Sequence, residues 1–317
     1  MRAFGPVPSR RLGQSLGINN IPPKVCTYSC VYCQIGKTEH LNCERQAFYD
    51  PDELAREVSD KVTELRKRNT RIDYLSFVPD GEPTLDSNLG EHIERLKPLN
   101  IKIAVITNSS LISLPDVRAD LQKADLVSLK VDAVSRSAWL KVNRPHKSLD
   151  LQIILEGMLE FRNEFSGELL SETMLVKGKN DSVEEIRRIA RFLTSLRPER
   201  SYIAIPTRPP TVKGLAPASD HVLNLAYQVF TETLPHVELL IGQGGDEFGY
   251  SGNIENDLLD ITSVHPMSEK NIKEYLKNAG AEWQIITGLI ERGSLVELEY
   301  RGQKFYLRRL PRKSKSY

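Results

Sequence analysis

Apolar positions along the chain follow two alternating rhythms. Short runs of mostly apolar or β-branched residues occur at 72–78, 101–107, 126–131, 168–176 and 201–205. Their length and composition predict strands buried on both faces. Between them lie longer stretches with apolar residues three or four apart, the spacing of helices that pack by one face. The stretch after Asp50 illustrates it: Leu54, Val58, Val62 and Leu65 form one stripe. Asp50 is placed to cap the first turn, and Pro51 occupies the first helical position, where its missing N–H costs nothing. Further helices are predicted at 88–96, 115–122, 149–165, 182–195 and 219–233, and a short strand at 15–19, between Pro8 and Pro22. Strands alternating with helices of this length pair in parallel through right-handed crossovers. Six such units can be counted, seven with 237–241. The predicted fold class is α/β, a partial (β/α)6 TIM-like barrel, with an open doubly wound sheet as the alternative. In either fold, sites lie just after strands.

The rhythm changes at Gly242, Gly244, Gly245 and Gly252, which mark a boundary between a first domain, 1–245, and a second, 255–317. The second reads as three helices and a hairpin. Ser268 caps a helix reaching about residue 278, Gly293 stops another over 282–292, and 295–300 and 304–308 alternate like strands around Arg301-Gly302-Gln303. That order is the plan of a winged-helix domain, here followed by a basic tail with Arg308, Arg309, Arg312, Lys313 and Lys315. Such a unit binds nucleic acid through phosphates, with Arg292, Arg301, Lys304, Arg308 and Arg309 as candidate contacts. It can also dock protein, and Glu282 and Glu291 on the 282–292 helix suit that reading.

Charge narrows the picture little. Lys and Arg number 43 against 42 Asp and Glu, so a net charge of +1 marks no global polyanion partner. No apolar run approaches the ~20 residues that span a bilayer, and the first residues lack the apolar core of a secretory signal. Four cysteines in 317 residues are no disulfide scaffold and fit a reducing, cytoplasmic location.

Three of those cysteines fall within eight positions: Cys26, Cys30 and Cys33, spaced C-x3-C-x2-C. Three soft thiols able to turn to one point suit iron–sulfur or zinc. Unrelated core thiols, a disulfide, and a zinc site completed by Cys43 are the alternatives. Zinc sites more often pair C-x2-C units across a longer spacer, which leaves a three-thiolate 4Fe-4S cluster with one iron open. Polar residues gather just after the strands: Asp80, Gly81 and Glu82, then Asn108, then Lys130 and Asp132. Taken singly they read equally as an Asp-Gly turn, an Asx turn and surface charges. Arg10 and Arg11 could hold an anion or clasp the N-terminus. No Ser-His-Asp order, Walker loop or HExxH is present, and the six histidines are scattered.

The cysteine spacing, with Tyr32 before the third cysteine and the strand-end residues in order, resembles the radical S-adenosylmethionine (radical SAM) enzymes. The resemblance implies that Cys26, Cys30 and Cys33 hold the 4Fe-4S cluster. The open iron would be chelated by the amino and carboxylate groups of S-adenosylmethionine. Tyr32 would pack near adenine, and Asp80-Gly81-Glu82 resembles a Gly-Gly-Glu motif that meets the cofactor's amino group, with Asp80 departing from the first glycine. Asn108, Lys130 and Asp132 would line the ribose and carboxylate. An electron donor, flavodoxin- or ferredoxin-like, is the implied partner. Residues 4–13 and Gly81-Glu82-Pro83-Thr84-Leu85 further resemble a group related to the wyosine-type tRNA synthases. Those enzymes build a tricyclic base from methylated guanosine in tRNA and pyruvate, and the true synthases carry extra cysteines, whereas this chain has only Cys43 to spare. The implied substrate is tRNA or another nucleic acid. The alternatives are a peptide, protein or small metabolite with the winged helix as docking module, and an iron–sulfur regulator that binds DNA.

Overall fold

The computed structural model describes residues 2–207, 209–210, 212–240, 253–264, 267–300 and 302–309. The Gly-rich boundary at 242–252, Arg301 and the tail residues Arg312, Lys313 and Lys315 lie outside the described residues. Among the described residues, no helix is long and apolar enough to cross a membrane.

The chain starts with β1 (Ala3–Ser9), which turns back into β2 (Gly13–Ile18). Two-residue strands β3 (Val25–Cys26) and β4 (His40–Leu41) follow, then α1 (Pro51–Lys67). The alternation is then β5 (Tyr74–Phe77), α2 (Leu89–Leu96), β6 (Lys102–Thr107), α3 (Pro115–Leu121) and β7 (Leu126–Lys130). After α4 (Arg136–Val142) and α5 (Leu151–Glu164) come β8 (Glu168–Met174), α6 (Val183–Leu196), β9 (Arg200–Ala204), α7 (Asp220–Thr231) and β10 (Val237–Leu240). The sheet order is β1-β2-β5-β6-β7-β8-β9-β10, antiparallel only between β1 and β2, and it curls into a half-barrel. The partial-barrel expectation holds.

Local chemistry explains the elements. Asp50 accepts from the backbone N–H groups of Asp52 and Glu53 at the start of α1, and all four residues of the predicted stripe are buried. Ser182 and Ser219 cap α6 and α7 in the same way. Two elements escape the apolar pattern. Pro6 and Pro8 look like breakers, yet β1 is an edge strand, where a missing N–H forfeits no ladder bond. The helix predicted over 149–165 is α5 alone; α4 spans only two turns, too short to show a period, and is capped by Ser135.

Beyond the half-barrel stand α8 (Ile254–Val264), β11 (Met267–Ser268), α9 (Glu269–Asn278), α10 (Gln284–Glu291), β12 (Leu295–Tyr300) and β13 (Gln303–Arg308). The strands form an antiparallel sheet ordered β11-β13-β12. This unit has its own core, including Leu258, Ile272, Tyr275, Ile286 and Tyr306, against which Val7 of β1 packs.

Candidate active site around the cysteine loop

Cys26 ends β3, and β3 pairs with β4 in register Cys26↔Leu41, so the intervening loop closes on itself. Asn42 N donates to Cys26 O (3.0 Å), Thr38 Oγ1 to Tyr28 O (2.7 Å) and Cys33 N to Cys30 O (3.1 Å). The end of α4 holds the loop from outside. Ser29 N donates to Asn143 O (3.0 Å), Val31 N to Val142 O (2.9 Å), and Trp139 Nε1 to the Tyr28 hydroxyl (3.1 Å). Gly81 is required for close approach: a Cβ there would lie 1.9 Å from Val25 O, one residue before Cys26. Glycine in the Asp-Gly turn therefore lets the β5 end touch the strand that carries the first thiol.

None of the three thiols is in a disulfide, and all are partly buried. Burial pushes the Cys26 thiol well above its usual range, and its neighbours Cys30, Glu82 and Cys33 push it further. Burial likewise raises Cys30 to about 12, with Asp132 and Cys33 adding to the rise. Two thiols that resist ionising, with a third beside them, call for a cationic centre if all are to be thiolates. Two side-chain amides already point at the sulfurs: Asn108 Nδ2 lies 3.6 Å from Cys26 Sγ, and Asn143 Nδ2 lies 3.5 Å from Cys30 Sγ. Among the described residues no three His, Cys, Asp or Glu side chains converge as for a single metal ion. A cubane needs no such convergence, because each thiolate binds a different iron. The donor set fits an iron–sulfur cluster in that sense: three thiols, amide donors for their sulfurs, and no fourth thiol in the loop. Cys43 is only half-buried and hydrogen-bonds with Ser148.

Each predicted strand-end residue has a definite place. Glu82 is buried, and both oxygens are in use: Oε1 accepts from Thr84 N (3.1 Å), Thr84 Oγ1 (2.6 Å) and Thr107 Oγ1 (2.6 Å), and Oε2 from Asn108 N (2.7 Å). It ties the β5 end to the β6 end. Asn108 continues the chain to the loop, donating to Thr27 Oγ1 (2.8 Å). Lys130 pairs with Glu172 (2.8 Å) and Asp132 (3.5 Å) and lies 5.0 Å from the Tyr32 ring centroid. Asp132 accepts from the Tyr32 hydroxyl, from Asn143 Nδ2 (2.8 Å) and from Met174 N (2.9 Å). Arg11 completes this array by its ion pair with Glu172. Asp80 alone has an oxygen, Oδ1, buried with no hydrogen-bond partner. Burial raises its carboxyl to about 7, offset in part by Lys24. Asp80, Arg10, Arg11 and Glu172 all line one cavity of about 330 Å³ inside the half-barrel, which Gln34 and Ile35 border from the cysteine loop.

Comparison with known proteins decides the family. The radical SAM superfamily matches residues 20–193, more than half of the chain. The chain belongs to the radical SAM superfamily. A UPF0026 protein of Methanocaldococcus jannaschii is 46% identical over 316 residues, covering 99% of this chain and 98% of that one. A UPF0026 protein of Helicobacter pylori is 34% identical over 275 residues, covering 84% of each. A solved structure of TYW1 with a lysine–pyruvate adduct bound is similar in fold, with a TM-score of 0.55 at 14% identity. It covers 69% of this chain and 74% of that one. A radical SAM methyltransferase from Sphaerobacter thermophilus gives 0.54 at 15% identity, covering 73% and 67%.

This radical SAM chain is therefore an enzyme of a superfamily whose members use S-adenosylmethionine and an iron–sulfur cluster. Two residues at its site carry no motif signal. Asn143 sits at the end of α4, a helix without visible period, and Glu172 lies inside β8, where an acidic residue in an apolar strand was the one available hint. A charged side chain amid a doubly buried strand implies a partner cation, and Arg11 and Lys130 are those partners.

Proposed function

We propose that the chain is a radical SAM enzyme with a 4Fe-4S cluster on Cys26, Cys30 and Cys33, acting on nucleic acid, tRNA first among the candidates. The observation that carries the cluster assignment is the clamped loop whose sulfurs meet the amides of Asn108 and Asn143. When bound, the cluster and S-adenosylmethionine supply reductive cleavage to a 5′-deoxyadenosyl radical that abstracts hydrogen from substrate. The chain's own residues position and shield. Glu82 and Asn108 hold the β5 and β6 ends beside Cys26, while Asp132 and Asn143 hold Cys30 and Tyr32. Amide donors to sulfur stabilise the more negative, reduced cluster. A flavodoxin- or ferredoxin-like protein supplies the electron.

The C-terminal order helix–strand–helix–helix–strand–strand supports a winged-helix unit. Its cations Arg292, Lys304 and Arg308 pair with Glu255 (2.8 Å), Glu297 (2.8 Å) and Asp260 (3.3 Å). The first two are solvent-facing pairs of small net worth, which phosphates can replace, whereas Asp260 is largely buried. The same pairing also favours a second reading, in which the unit docks a peptide or protein.

Anaerobic reconstitution with iron, sulfide and reductant is the test. Wild type should release 5′-deoxyadenosine from S-adenosylmethionine, and Cys30→Ala should lose both cluster absorbance and product. A full cluster without product would overturn the enzyme reading of the site. For the substrate, tRNA binding followed against salt should lose about one unit of slope for each of Lys304→Ala, Arg308→Ala and Arg309→Ala. An unchanged slope turns the unit to protein docking.

A further inference from the structure

Among the described residues that line the half-barrel cavity, one buried acceptor has no hydrogen-bond partner. Asp80 lines the cavity, is 4% exposed, and its Oδ1 has no partner. Its backbone is fixed: Lys24 N donates to Asp80 O (2.6 Å), and Gly81 is locked against Val25 O. A side chain on so constrained a turn does not leave the pocket without moving the strand that carries Cys26. Lys24 offsets its burial only in part and is itself paired with Glu39 (2.9 Å). By contrast, the other buried carboxylate of the cavity, Glu172, has both Arg11 and Lys130. An orphaned buried acceptor is costly, and a ligand N–H is the group that would satisfy it. Part of the cavity wall is apolar, with Val7, Val78, Ile106 and Met174, and suits the face of a flat heterocycle, while Ser76, Gln34 and Thr207 supply polar groups for its edge.

We propose that Asp80 selects the substrate by accepting a hydrogen bond from the exocyclic amino group of a nucleobase held in this cavity. This rests on the reading above that the substrate is nucleic acid, and it goes further by naming the edge that is read. The base reaches the cavity either on a free nucleotide or extruded from RNA, since a base can be read on its polar edge only once unstacked. Asp80 stands where the superfamily's motif resemblance has glycine, so this contact belongs to this chain and its side chain, not to the motif's backbone.

The experiment is equilibrium dialysis of the full-length, reconstituted protein with GMP, AMP, CMP, IMP and UMP. Wild type should bind at least one amino-bearing nucleotide tenfold or more tightly than its amino-free counterpart: GMP or AMP over IMP, or CMP over UMP. That preference should collapse to within twofold in Asp80→Gly. Asp80→Asn, close in shape, serves if the glycine variant does not melt cooperatively; its amide dipole should cut the preference at least threefold. Competition then separates the sources: tRNA that displaces the preferred nucleotide indicates an extruded base, and tRNA that does not indicates a free nucleotide. No amino preference in wild type, or one unchanged in both variants, overturns the proposal. If wild type releases 5′-deoxyadenosine yet shows no amino preference, only this inference fails. If it releases none from a full cluster, it is the enzyme reading that fails, and the nucleotide preference is still read directly by dialysis.

Discussion

Two buried carboxyl groups line the same cavity from strands three places apart in the sheet and are treated in opposite ways. Glu172, on β8, is 7% exposed; burial pushes its carboxyl up, but Arg11 and Lys130 hold it down at about 2. Asp80, beyond β5, is buried as deeply, but Lys24 opposes burial only in part and the carboxyl stands at about 7. Burial is common to both, so the partners decide. The β8 end is finished within the chain and serves the architecture, whereas the β5 end is left open and serves a ligand.

The largest expected effect comes from breaking the finished end. Glu172→Ala leaves Arg11 without its anion and Lys130 with Asp132 alone, and removing one member of such a set costs roughly 3–5 kcal/mol. Urea unfolding of the unloaded protein at pH 7 reads it. Replacing all three together, as Arg11→Met, Lys130→Met and Glu172→Leu, should cost less, because the one charge that loses its cation is Asp132, which keeps its hydrogen bonds from Tyr32, Asn143 and Met174. A triple variant as unstable as the single one would refute the charge account and leave shape as the cause.

Next comes the open end, through pH. Asp80 has a folded value near 7 against an ordinary 3.8, so its contribution favours folding fully below about pH 4 and is lost as pH rises through 7. Asp80→Asn removes that loss and should stabilise the unloaded protein at pH 8 by roughly 4 kcal/mol, with little effect at pH 4. Glu172 has the opposite sign: its contribution is present above about pH 4.5 and is lost as pH falls toward 2. Unfolding free energy measured from pH 3 to 9 separates the two. A smaller effect belongs to the turn beside Asp80. Gly81→Ala forces a Cβ against Val25 O and should cost roughly 1–3 kcal/mol, lowering iron content by displacing Cys26.

Sequence reasoning reached these two ends unequally. The strand and helix rhythm, the Asp50 cap and the thiol loop were legible because each is local: a period, a capping residue, a spacing. Asp80 and Glu82 stood out beside their glycine. Their opposite fates did not, because Glu82 is satisfied by Thr107 and Asn108 of the next strand, a contact set by the sheet register. Arg11 and Glu172 are 161 residues apart, and no window of sequence contains both. β1 and α4 were hidden for local reasons, prolines tolerated at an edge and a helix too short to show a stripe.

The smallest effect probes how far the open end is tempered from within. Among the described residues, Lys24 is the one cation whose charge lowers the Asp80 carboxyl, while its Nζ bonds to Glu39, whose side chain is largely exposed. Lys24→Met therefore removes a distant attraction and a surface ion pair, each worth about 0.5 kcal/mol or less. At pH 8, with Asp80 ionised, stability should fall by about 0.5 kcal/mol; at pH 4, with Asp80 protonated, only the Glu39 part remains. In the Asp80→Asn background the pH 8 loss should shrink to that same part, since neutral Asn offers Lys24 no charge. The coupling between the two substitutions is thus expected at pH 8 and absent at pH 4. Coupling that persists at pH 4 would mean that the two side chains affect each other through the shape of the turn, whose backbone bond from Lys24 N to Asp80 O every variant keeps. The openness of this end would then be a matter of turn geometry and not of charge.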